Sequence, residues 1–280
     1  MANNPNHIEF YQVRDFGEVL TVTFDFVREN FKPLMKGWLY IAGPFALASA
    51  FISIYSMNMS PSFSQFFSRW SLINLILGVL TYFLTYLVTL GYLHIYLHEK
   101  SPVQLNDLWQ FTKQNFWFFT GQYVVLIIVI LVGFILLILP GLYLIIVLSI
   151  APIIRIMERR AIFDSISRAR QLMSGFWLKT FGLTIVLFII LLVLGGLLQA
   201  PSIVLTFLWT FNNIEAGSFS GNPTDNYPLL AVVAAIGQAL AVSVNMIPMV
   251  AYSLQYFNLR ERKEAVSLMD KVASLGKDEE

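Results

Sequence analysis

Long uncharged runs alternate along this chain with short segments in which apolar residues recur every three or four positions. Residues 37–68, 70–98, 114–154, 180–214 and 226–259 contain no Asp, Glu, Lys or Arg. A helix that crosses a bilayer needs about 20 apolar residues. Four runs therefore predict one span each, near 37–57, 71–97, 177–199 and 229–257. The run 114–154 is long enough for two, and Leu139-Pro140-Gly141 in its middle stops a helix and permits a turn. It predicts a tight hairpin built on Pro140 and Gly141, with arms near 116–139 and 142–157. The second arm is short, about 24 Å at 1.5 Å per residue, against a hydrocarbon core about 30 Å thick. That places the predicted turn below the membrane surface.

Between the runs the apolar period changes. Phe16, Val19, Leu20, Thr23, Val27 and Phe31 share one helical face, as do Leu105, Leu108, Trp109, Thr112 and Phe116. Ile162, Ile166, Ala169, Leu172, Met173 and Phe176 form a third. These spacings predict interfacial amphipathic helices near 15–32, 102–116 and 161–176. Ser101 is the expected cap of the middle one, with Pro102 in its first turn and Gln104 at the capping-box position. Each segment runs into a similar junction: Asn30-Phe31-Lys32, Asn115-Phe116-Trp117 and Gly175-Phe176-Trp177.

The predicted fold class is all-α: a polytopic membrane protein with six transmembrane helices in a single domain over 1–280. It reads as three pseudo-repeats of an interfacial amphipathic helix plus a transmembrane hairpin. The alternative is that amphipathic helices and aromatic belts mark the interfaces of any membrane protein. After the last span, 258–280 predicts a charged cytoplasmic helix, with Ala265, Leu268, Met269 and Val272 on one face. Residues 212–227, rich in Asn, Gly and Ser, predict an external loop.

Composition sharpens this picture. The chain is 57% hydrophobic and only 12% charged, about half the charge of a soluble domain. It lacks cysteine, which excludes a disulfide scaffold, and a net charge of +1 gives no reason to expect nucleic acid. The first 36 residues carry five acids, unlike a cleavable leader. With six spans, 17 of the 18 Lys and Arg fall on one side and only Arg69 on the other. By the positive-inside rule the charged side is cytoplasmic, with both termini there. The expected location is a bacterial cytoplasmic (inner) membrane.

Candidate chemistry is sparse. No ionisable residue sits at a span centre, where proton relays and ion paths are built. The intramembrane polar residues Asn74, Gln122, Gln238, Asn245 and Gln255 are expected to hold helices together. Asn245, close to Pro248, is the most site-like of them. His94 and His98, one helical turn apart and followed by Glu99, form an incomplete metal set. A nucleophile elbow and a phosphate-binding glycine loop are absent from the sequence. The reading is therefore not an enzyme, with no catalytic, cofactor or metal residues assigned.

The strongest candidate patch is Arg155, Arg159, Arg160, Arg168, Arg170 and Lys179, six cations against Glu158 and Asp164. Near an anionic leaflet each cation contributes about 1 kcal/mol of attraction. It suggests recognition of anionic lipid or of a partner's acidic surface, the alternative being topology bias and snorkelling. Glu158, amid these arginines, is expected to anchor the interfacial helix by an ion pair.

Leu139-Pro140-Gly141-Leu142-Tyr143, Ala151-Pro152, Glu158, Arg168, Leu172, Gly175 and Trp177 together resemble the shared core of a bacterial group of six-helix membrane proteins. That group includes the membrane domain attached to some glycerophosphoryl diester phosphodiesterases. The resemblance marks Pro140, Gly141, Pro152, Glu158, Gly175 and Trp177 as a structural motif, and Ser165 and Ala169 depart mildly from the group's pattern. The chain lacks the soluble phosphodiesterase domain, so the resemblance implies no catalytic residue. The expected function is a scaffold or partner-binding subunit that meets anionic headgroups and another membrane or cytoplasmic protein. The alternative is a transporter or lipid-handling protein using a groove between the repeats.

Overall fold

A computed structural model describes residues 8–57, 69–98, 102–215, 228–266 and 269. Among them the secondary structure is helical, without strands: α1 (Phe16–Glu29), α2 (Phe31–Ile41), α3 (Gly43–Met57), α4 (Arg69–His98), α5 (Leu105–Leu136), α6 (Ile138–Leu148), α7 (Ala151–Glu158), α8 (Ile162–Met173), α9 (Trp177–Glu215), α10 (Pro228–Ser243) and α11 (Met246–Glu264). Five stretches are long and apolar enough to cross a membrane: Arg69–His98, Leu105–Leu136, Ile138–Glu158, Trp177–Leu208 and Val232–Glu264. The pair Phe31–Ile41 and Gly43–Ser53, bent by 61°, makes a sixth if counted as one span. By the length and composition of these helices the chain is a multi-pass membrane protein.

Proline placement explains where most helices begin. Pro33, Pro44, Pro140, Pro152, Pro228 and Pro248 all lie within the first three residues of a helix. There the backbone N–H has no intrahelical acceptor to lose, and the ring meets no preceding turn. This corrects the predicted hairpin. Leu137 alone is extended, at φ −166° and ψ 154°, while Pro140 and Gly141 sit in the first turn of α6. The returning arm therefore starts at Ile138 and runs 21 residues to Glu158. That is about 31 Å, enough for a core about 30 Å thick, so the arm is longer than expected and its length no longer calls for a sunken turn. A break at Ser149-Ile150 separates α6 from α7, two residues ahead of Pro152.

Other boundaries differ too. The span expected at 37–57 is α2 and α3, which bend at Ala42 ahead of Gly43-Pro44. The middle interfacial helix, expected at 102–116, is not a separate element. No proline interrupts 105–136, so α5 runs unbroken through both segments, with Gln104 at its N-cap. Pro102 lies outside the helix, and Ser101 and Glu99 lie outside the described residues. α9 passes through Pro201 to Glu215, well beyond 199, so the expected loop begins as helix; 216–227 lie outside the described residues. α11 ends at Glu264 because Ala265 adopts a left-handed φ of 48°, which interrupts the helix expected over 258–280. Leu268 and Val272 lie outside the described residues. α1 and α8 overlap the first and third expected short helices.

The chain forms two compact units. In the one comprising Lys32–Thr89 and Phe188–Met246, α3 packs on α10 through the fully buried Ala50 and Ala235. Small side chains let two backbones approach closely where lipid offers no hydrophobic drive. Gly237 follows the same logic, since a Cβ there would stand 2.9 Å from the Leu198 carbonyl oxygen. Polar side chains join helices within this unit: Ser49 donates to Asn74 at 2.7 Å, and the Trp38 indole to Thr85 at 2.8 Å. Phe188, Leu192 and Phe207 of α9 are exposed, a face matched to lipid tails rather than water.

The other unit comprises Met1–Phe31, Leu90–Leu187 and Ile247–Glu280. Phe10 is buried edge-on against Phe26, Tyr96 and Phe257, at 5.4–6.1 Å between ring centroids. Arg14 follows it, buried and donating to the backbone oxygen of Phe10 at 3.1 Å. Burial lowers the pKa of its guanidinium, against the opposing pull of Glu18 and Glu9. α5 and the α6–α7 arm fold back on one another. Near the turn, a Cβ on Gly133 would lie 3.2 Å from the Gly141 Cα, and farther out Gln122 and Phe118 meet Arg155. Contacts nested in this way require antiparallel arms.

Candidate functional site

The end of α7 sorts the basic residues of the predicted patch into different roles. Arg155 lies on the buried face, 6% exposed, with its guanidinium 3.6 Å from the centre of the Phe118 ring. Its Nη1 donates to Gln122 at 3.4 Å, and its Nε has no acceptor. Three residues later Glu158 meets a different set of partners, and Arg159 ends the helix in a left-handed conformation, φ 50°. That turn reverses the chain into α8. Arg159, Arg160, Arg170 and Lys179 are exposed. The six cations therefore do not form one continuous surface.

Glu158 is the centre of an ion-paired cluster. It accepts from the Tyr256 hydroxyl at 2.9 Å and from Arg160 Nε at 2.5 Å, and Arg168 Nε lies at 3.5 Å. Arg168 also pairs with Glu264, which Arg260 meets at 3.2 Å. Lys263 donates to the Gln171 carbonyl. α7, α8 and α11 are thereby tied at one end. The sequence points to Glu158 and its neighbouring arginines; the structure brings Arg160 and Arg168 to it, but not Arg155 or Arg159. Tyr256 and Glu264 lie about a hundred residues away in sequence, and no local pattern marks them.

The rest of the structural motif frames this cluster. Gly175 takes φ +80° between α8 and α9, with nothing within 4 Å of where a Cβ would be. Its backbone conformation, not crowding, is what favours glycine. Trp177 opens α9 with its ring 5.9 Å from Tyr143.

The intramembrane amides are mostly engaged. Gln255 donates to Thr180 at 3.0 Å, and Asn258 both accepts from the Arg14 amide and donates to its carbonyl, each at 3.0 Å. Asn245 donates to the Val242 carbonyl at 3.0 Å, within the break between α10 and α11. Gln238 is half-buried in α10.

His94 and His98 do meet, with ring centroids 4.3 Å apart. Among the described residues no group of three His, Cys, Asp or Glu comes together to hold a metal ion. Instead the two rings line a cleft of about 570 Å³, together with Gln110, Gln114, Arg155 and Arg159. His98 Nδ1 lies 2.8 Å from the His94 carbonyl, while His94 Nδ1 has no partner. Comparison of the chain with protein families, with curated proteins and with solved structures gives no match.

Proposed function

We propose that this is a non-catalytic integral protein of a bacterial cytoplasmic membrane that acts as a scaffold or partner-binding subunit. In this reading the bent pair α2–α3 is one span, giving six, and both termini are cytoplasmic. The observation that supports it most is the closed network from Glu158 through Arg168 and Glu264 to Arg260. Its charged groups bind one another and tie α8 to α7 and α11. A helix end tied in this way suits docking, because side chains already held by partners lose little conformational entropy when another protein binds.

The three-fold pseudo-repeat belongs to the same proposal, with the short helix of its middle copy fused into α5. So does membership of the six-helix group that includes the phosphodiesterase-linked membrane domains. Anionic headgroups and another membrane or cytoplasmic protein are the partners this surface suits.

The test begins with a photo-cross-linker at Phe163, which is 73% exposed on α8. A stoichiometric protein partner is expected to be captured in the native membrane. The purified protein in liposomes is expected to show no phosphodiester hydrolysis, ion flux or lipid scrambling. Robust turnover that His94→Ala or Asn245→Ala abolishes defeats the scaffold reading.

A further inference from the structure

The guanidinium of Arg155 poses a problem that the ion-paired cluster does not solve. It is nine-tenths buried near the end of a membrane-spanning stretch, and among the described residues no carboxylate lies within ion-pair distance. A buried cation held only by one long amide hydrogen bond and an aromatic face is poorly compensated. Buried polar atoms without partners call for an explanation. Two others lie close by in the fold: Gln122 Nε2, beside Arg155, and His94 Nδ1, on the α4 side of the same cleft.

The cleft supplies what is missing. Arg155 and Arg159 line it from α7 and its cap, the two imidazoles from α4, and Gln110, Gln114 and Asn115 from α5. The Asn115 amide nitrogen is bonded to the Phe111 carbonyl, which fixes its side chain. One acid, Asp107, also lines the cleft, and it pairs with neither arginine. Two arginines with amide and imidazole groups around them match a tetrahedral oxyanion, since a guanidinium binds phosphate through paired N–H groups.

We propose that this cleft binds the phosphate of an anionic ester, held between Arg155 and Arg159, with Gln114 and His94 completing its hydrogen bonds. The phosphate neutralises Arg155, whose side chain lines the cleft. The site stands independently of any docked protein. It differs from a general basic surface because Arg170 and Lys179 take no part in it.

The test uses the full chain in phosphatidylcholine nanodiscs. Native mass spectrometry measures retention of added phosphatidic acid, and calorimetry measures binding of inorganic phosphate. Retention of the lipid alone identifies a headgroup site; binding of free phosphate identifies a site for soluble esters; both carry the proposal. Arg155→Gln is expected to weaken binding about tenfold, the loss of one hydrogen bond to a charged group. Gln114→Glu, an exposed substitution that leaves the core intact, is expected to weaken it comparably by repulsion. The double variant Arg170→Gln with Lys179→Gln is expected to bind as the parent does. Failure of both probes to bind, full binding by Gln114→Glu, or equal loss in the double variant overturns the proposal.

Discussion

Replacing Glu158 by alanine tests whether the ion-paired cluster holds the helix ends together. The Glu158 side chain is 9% exposed and has three partners of unequal worth. Arg160 is 43% exposed, so its pair contributes under about 1 kcal/mol. Arg168 is 16% exposed and keeps Glu264 when Glu158 is gone, so it is not left as a lone buried charge. Tyr256 is fully buried and donates to the carboxylate, a bond worth about 1.5–3 kcal/mol. Its hydroxyl retains only the long contact from Arg260 at 3.4 Å. The total loss is about 2–4 kcal/mol, which at this chain length corresponds to about 4–8 °C in melting temperature. The assay is thermal unfolding in mild detergent, with tryptophan fluorescence as the readout. A double-mutant cycle with Tyr256→Phe isolates the pair, and a coupling of about 1–2 kcal/mol is expected. A melting temperature unchanged in Glu158→Ala, or strict additivity with Tyr256→Phe, refutes the reasoning.

Three further outcomes follow from the geometry. Gly141→Val drives a side chain into the Phe134 ring, since even a Cβ would stand 2.5 Å from it; a loss of about 1–3 kcal/mol in thermal unfolding is expected, and Phe134→Ala is expected to restore part of it. Asn258→Ala removes both bonds to the Arg14 backbone and is expected to cost about 1–3 kcal/mol, with faster proteolysis of the N-terminal segment as a second readout. For topology, single cysteines on this cysteine-free background are expected to label from outside at Ser62 and Ser220, and at the exposed Ser167 only after permeabilisation. Ser165 is fully buried and unsuited to labelling. External labelling of Ser167 rules out the six-span orientation.

What the sequence determined by itself is the solvent and the approximate spans. Runs without charge cross a bilayer because burying an ionised group in hydrocarbon costs several kcal/mol, and that penalty is local enough to read residue by residue. The short helices α1 and α8 were legible for a similar reason, since a period of three to four shows which face is apolar. Helix starts were only half legible. Proline marks where a helix can begin, as at Pro140 and Pro248, but which residue in front of it leaves the helix depends on packing. Leu137 is the hinge because Gly133 and Gly141 must approach closely across the turn, a constraint between chain segments. The middle short helix was misplaced for a different reason: its amphipathic face is continuous with the next span, because no proline interrupts 105–136 and α5 runs unbroken through both.

The candidate sites divide in the same way. The cluster of arginines around Glu158 was visible as composition, but identical residue types went to different partners. Arg155 turns inward to Phe118, and Arg168 joins Glu158 and Glu264. Side-chain direction along a helix follows from its rotation about its axis, and only tertiary packing sets that rotation. Tyr256 and Glu264 reach Glu158 and Arg168 across about a hundred residues of chain, a separation over which hydrophobic periodicity carries no information.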